Sequence, residues 1–137
     1  VIEQDVFVYF KGDATLASLI GDNTKIYLIT APTEGDPKMP WVVVEQTGGT
    51  RKKISQKKME ETALVRVTVD AGPDQLFTGR SIIEQCKNLL ENYRGLLDQA
   101  NDVYAETGAI RGWAGFGNAY RYQFDSTVRF TEDYNRP

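Results

Sequence analysis

Few residues in this chain could do chemistry. It contains no histidine, which removes Ser–His and Cys–His nucleophilic pairs and most transition-metal sites. The single cysteine, Cys86, falls on the apolar stripe of a helix-patterned stretch. Cysteine there reads as a buried packing residue rather than a reactive thiol. Two carboxylate pairs, Glu60-Glu61 and Glu132-Asp133, stand beside turns or near the last residues. Acid–base work needs carboxylates in opposed, partly buried environments, so both pairs read as solvated surface. Gly48-Gly49-Thr50-Arg51-Lys52-Lys53 resembles a phosphate loop only superficially, because the Walker spacing is missing and no apolar helix follows. Gly112, Gly115 and Gly117 precede a strand pattern, not the helix of a dinucleotide fingerprint. Pro73-Asp74 is more plainly a helix start than a nuclease carboxylate. The expectation is a protein that is not an enzyme, with no catalytic residue, metal or cofactor.

One local feature rises above background. Arg51, Lys52, Lys53, Lys57 and Lys58 gather much of the chain's positive charge into a short segment. A solvated hairpin tip, a nucleic-acid contact and a contact with another protein chain are all open readings. Aromatics are absent from residues 48 to 61, so base stacking has no platform there. Phosphate contact through Lys and Arg would be salt-sensitive. Protein contact is favoured, because a long arm reaches a neighbour and the rest of the chain is acidic.

The elements that would carry this arm follow from periodicity. Ile2, Val6, Tyr9 and Phe10 recur at helical spacing. Asp13 then N-caps a short helix carrying Leu16, Leu19 and Ile20, which Gly21 stops. Lys25 to Thr30 reads as a strand, and the proline-rich stretch from Ala31 to Pro40 as a surface loop. Pro40 to Gln46 holds Trp41 and three valines, and predicts a strand buried on both faces in the middle of a sheet. The arm from Gly48 to Glu61 joins it to an alternating strand. There Ala63, Val65, Val67, Val69 and Ala71 face one way, and Thr62, Leu64, Arg66, Thr68 and Asp70 the other. An antiparallel hairpin is the simplest pairing.

Asp74 or Thr78 then predicts the N-cap of a helix whose apolar stripe is Ile82, Ile83, Cys86, Leu89, Leu90 and Tyr93, with Gly95 at its end. Burying that stripe contributes on the order of 10 kcal/mol gross, mostly offset by chain entropy. Val103 to Trp113 is irregular but strand-compatible. A long final strand alternates Tyr120, Tyr122, Phe124, Val128 and Phe130 against Arg121, Gln123, Asp125, Thr127, Arg129 and Thr131. The fold class expected is α+β: a single mixed or antiparallel sheet, helices packed on one face, and a long projecting β-hairpin arm.

Composition bounds the rest. At 137 residues one domain covering 1–137 is expected, with a core that needs no staples. The chain is 41% apolar and 26% charged, which is ordinary for a globular protein. A net charge of −3 argues against attraction of the whole molecule to nucleic acid or anionic membrane. One cysteine excludes an internal disulfide and suits a reducing compartment. No stretch approaches the roughly 18 apolar residues of a membrane span, and no secretory signal pattern opens the chain. Because the first residue is Val1, the initiator methionine was removed or lies upstream.

The order of elements resembles the small tail-terminator, or tail-completion (head–tail joining), proteins of long-tailed bacteriophages. The resemblance is carried by Lys25-Ile26-Tyr27 and by Ala31-Pro32 leading to Pro40-Trp41-Val42-Val43-Val44. It continues through the Gly-containing arm, the Val65 to Val69 strand, the amphipathic helix and the Tyr/Phe alternation of Tyr120 to Phe130. It spans roughly Ile2 to Thr131; Leu96 to Glu106 fits less well. What it implies is a virion protein at the head–tail junction, assembled in the host cytoplasm. Such a protein forms a ring, commonly a hexamer, on the tail tube, ends tube polymerisation and presents a surface to the head's connector or stopper. Its partners would be further copies of itself, the tail tube protein and the connector. Genomic DNA would pass through the ring without sequence-specific binding, and no membrane is involved. By analogy Arg51, Lys52, Lys53, Lys57 and Lys58 are assigned to subunit or tube contact. A neck or head-completion protein of the same virion is the alternative, and a small nucleic-acid-binding module using residues 51–58 is the alternative from another class.

Overall fold

The computed structural model describes residues 2–31, 38–53, 58–97, 100–114 and 119–133. In chain order the elements are α1 (Ile2–Lys11), α2 (Ala14–Ile20), a 3-10 turn (Asn23–Lys25), β1 (Ile26–Leu28), β2 (Trp41–Lys53) and β3 (Lys58–Ala71). Then follow α3 (Leu76–Leu90), β4 (Arg94–Leu97), β5 (Ala100–Thr107), β6 (Arg111–Ala114) and β7 (Tyr120–Asp133). The strands form one sheet in the order β1-β2-β3-β7-β5-β4, with β6 also beside β7. β1 and β2 run parallel, and every other pair is antiparallel. This is the expected mixed α+β sheet with a long hairpin.

Alternation decides the core. Val42, Val44, Ala63, Val65, Val67, Val69, Phe124, Val128 and Phe130 are buried on one sheet face. They meet Ile2, Val6 and Phe10 of α1, Leu16 and Ile20 of α2, and Ile82, Ile83, Cys86 and Leu90 of α3 in a single cluster. The two residues that punctuate α2 do so as expected. The Asp13 carboxylate accepts from the Leu16 N–H at 2.8 Å, and Gly21 closes the helix in the left-handed region at φ 94°.

Four expectations need correction. β2 is second from one edge, not in the middle; β3 and β7 are the central strands, paired from Lys58↔Asp133 to Ala71↔Tyr120. α3 is capped by neither Asp74 nor Thr78. Gln75 occupies the N-cap position without a side-chain cap bond, and its amide oxygen instead accepts from the Gly72 N–H at 2.8 Å, closing the turn before the helix. α3 also stops at Leu90, short of Gly95, because Asn92 takes φ 55° and swings Tyr93 against Tyr9, ring centroids 5.1 Å apart. Finally, the irregular stretch from Val103 to Trp113 is two strands, and Arg94–Leu97 adds a third the pattern did not reveal.

Candidate interaction surfaces: the hairpin and the open sheet face

The hairpin is sheet from end to end of its described part. β2 and β3 stay in register through Gly48↔Leu64, Arg51↔Glu61, Lys52↔Glu60 and Lys53↔Met59, with one bulge between Gln46 and Gly48. The extra residue, Thr47, reverses the side-chain alternation of β2. Before it Val42 and Val44 share the helix-covered face with Val69 and Val67; after it Gly49 and Arg51 share that face with Ala63 and Glu61. The basic residues are therefore not one patch. Arg51 lies toward the helix side and Lys52 on the opposite face. Lys57 lies outside the described residues, and Lys58 begins β3.

Carboxylates stand across the hairpin from these cations. Glu61 is only 8% exposed and its Oε1 accepts from Nε of Arg51, so it is a buried ion-pair partner rather than the solvated residue expected. A cleft of about 420 Å³ sits here, lined by Ile2, Gln46, Arg51, Glu61 and Phe130 among others. The sequence could not reveal this pair, since it needs the cross-strand register.

On the face away from the helices, polar side chains form rows across the strands. One row runs Trp113↔Arg121, Arg121↔Asp70 and Asp70↔Trp41, from β6 through β7 and β3 to β2. Asp70 is buried and accepts from the Trp41 indole Nε1–H at 2.9 Å and from Arg121 at 2.7 and 3.2 Å. Deeper along the same face Gln123 donates to the Thr68 hydroxyl at 3.0 Å. Nε of Arg66 and Nη2 of Arg111 reach the two oxygens of Asp125 at 2.9 and 3.3 Å. Hydrogen bonds to Asp70 and Asp125 raise the pKa of Arg121 and of Arg66 above the ordinary guanidinium value. A cleft of about 610 Å³ lies over the first row, between Met39, Trp41, Trp113 and Ala114. Carboxylates clamped this way accept hydrogen bonds and hold the strands' outward side chains in position.

Cys86 is fully buried, and burial pushes its thiol pKa strongly up, which keeps it protonated and unreactive. Among the described residues no group of three or more Cys, Asp or Glu is placed to hold a metal ion. No described helix is long and apolar enough to cross a membrane.

No family model matches the sequence, and no curated protein matches it. A solved structure does. The chain is similar to a chain of the "Virion of native gene transfer agent (GTA) particle", with a TM-score of 0.71 at 14% identity, over 96% of this chain and 95% of that one. The likeness is one of fold.

Proposed function

We propose that this chain is a structural protein of a phage-like virion, that it caps the tail tube as a ring, and that it forms the surface on which the head's connector sits. The observation that carries this reading is the end-to-end fold likeness to a chain of a gene transfer agent virion. The arrangement fits a role in assembly: the described residues present broad sheet surfaces and a long hairpin, and the carboxylates of Glu61, Asp125 and Asp70 are held in ion pairs.

In this reading residues 51–58 contact a neighbouring subunit or the tube, six copies close the ring, and DNA passes through it without sequence-specific contact. Cross-strand carboxylates at Glu60 and Glu61 weaken the hairpin's appeal to phosphate and favour protein contact over nucleic acid.

The test is the mass of the purified protein by light scattering, followed by incubation with preformed tail tubes. Rings of about six copies, or rings that close only on tubes, are the expected result. Reversing the charge of Lys52 and Lys53 should impair assembly and leave the subunit folded. A protein that ignores tubes but binds the head connector would instead be a neck protein. Tight, salt-sensitive DNA binding would overturn both.

A further inference from the structure

We propose that copies of this chain join side by side, the β1 edge of one on the β6 edge of the next, with Ile29 of the first packed against Leu76, Phe77 and Trp113 of the second. This rests on the reading of the chain as a ring subunit and specifies where two subunits meet.

β6 has no described strand on the side away from β7, and all four of its residues are exposed. Beside it lies a cleft of about 440 Å³, lined by Leu76, Ile110, Gly112, Trp113 and Tyr120 among others. Arg80 and Glu84 of α3 line it too, and Phe77 shares their side of the helix at i, i+3 and i+7 spacing. Phe77 is 81% exposed and Trp113 44%. Large apolar side chains gathered on a folded surface mark an interaction site. The charged groups around them are already paired, Arg80 with Glu84 at 3.2 Å and Arg111 with Asp125 at 3.3 Å.

On the opposite edge Ile29 follows β1, exposed and in the left-handed region. Backbone bonds pin it there. Its N–H reaches the Val44 carbonyl at 2.9 Å, and the Thr30 N–H reaches the Leu28 carbonyl at 2.8 Å. Register puts the two edges at one level of the sheet. Tyr27 of β1 pairs with Val43, Val43 with Thr68, Thr68 with Gln123, and Gln123 with Arg111 of β6.

Within one copy the two edges cannot meet, because four strand spacings, about 19 Å, separate them. Turning a second copy about an axis along the strands sets its β1 edge beside β6 with no step between the levels. A head-to-tail contact without a step closes into a ring. At their exposures Phe77 and Trp113 offer on the order of 250 Å² of apolar surface, to which Leu76 and Ile29 add. An ordinary subunit contact buries about 1,600 Å² from both sides, so these residues form its anchoring centre. Two-fold pairing of β6 with β6 would cover Trp113 but leave Ile29 strained and bare. Only the head-to-tail arrangement gives that strain a use.

The experiment mixes Thr30→Cys protein with Ala109→Cys protein and treats the mixture with a short bis-maleimide, alone and on preformed tail tubes. Both positions are exposed, flank the contact without belonging to its centre, and face no competition from the buried Cys86. Linked dimers are expected in the mixture and not in either variant alone. Adding Ile29→Asn to the first protein should lower the yield about tenfold while leaving the subunit folded. Phe77→Ser in the second protein should do the same from the other side. Links within a single variant would overturn the arrangement in favour of a two-fold one. Assembly or tube binding without mixed links would overturn this contact and leave the ring reading standing. A protein that neither assembles nor binds tubes overturns both.

Discussion

Gly79 of α3 lies so close to Ala71 of β3 that a Cβ added to it would stand 2.7 Å from the Ala71 Cβ and 3.1 Å from the Tyr122 ring. Tyr122 is held in place there, its hydroxyl donating to the Leu76 carbonyl at 3.1 Å. Helix propensity alone favours alanine over glycine by about 1 kcal/mol. Overpacking a helix–sheet contact costs about 1–3 kcal/mol. Gly79→Ala is therefore expected to destabilise despite the better helix former, and urea unfolding measures it. A gain in stability would mean that α3 stands further off the sheet.

Asp70 organises the outward face by accepting from Trp41 and Arg121 together. Asp70→Ala strands a guanidinium and an indole N–H, and should cost about 1–3 kcal/mol. Trp41→Phe removes one neutral hydrogen bond and should cost about 1 kcal/mol. A double-mutant cycle of Asp70→Ala with Arg121→Ala should give a clear coupling energy, because the two are in contact. Additive effects would mean that the row is only a surface arrangement.

Burial keeps the Cys86 thiol protonated in the folded chain. In the unfolded chain it ionises near pH 8.5. Above that the folded state binds more protons, so stability falls as pH rises, by up to about 1.4 kcal/mol per unit. Below it the thiol adds no pH dependence. The Tyr9 and Tyr122 hydroxyls, raised mainly by burial, act in the same sense at higher pH. Denaturant midpoints measured from pH 7 to 10 should decline, and Cys86→Ala should flatten the first part of the decline. A thiol reagent should label the protein only after unfolding.

Ile29 has φ 71° and is 60% exposed. A β-branched residue there is strained by about 1–3 kcal/mol and gains little from burial. Ile29→Asn should raise the melting temperature, since asparagine tolerates this backbone. A lower value would show that the isoleucine is needed for packing.

Where one face of an element is buried, the sequence was readable. β3 and β7 alternate because the helices cover one side, and the stripe of α3 is the complement of that surface. Legibility failed at β4 and β5, where Asn92, Gly95 and Asn101 interrupt any period and pairing is irregular between Gly95 and Leu97 and between Asn101 and Tyr104. It failed for the surfaces too, for a different reason. Arg121, Asp70 and Trp41 each read correctly as strand residues, but meeting in one row depends on register between strands far apart in sequence. The basic segment was visible as composition, whereas the burial of Glu61 beneath it was not.

Thr47 sets the terms on which the hairpin can vary. By adding one residue to β2 it uncouples the outer strand from the phase imposed by Val42 and Val44, so Arg51 falls beside Glu61 and Lys52 on the far side. Length changes between Thr47 and Arg51 keep the assignment only when they come in twos. A single insertion between Thr47 and Arg51 exchanges the faces of Arg51 and Lys52 and leaves the register of Val42 and Val44 as it is. Lineages carrying this fold can thus remodel what the hairpin presents to its surroundings by parity alone, without renegotiating the interior.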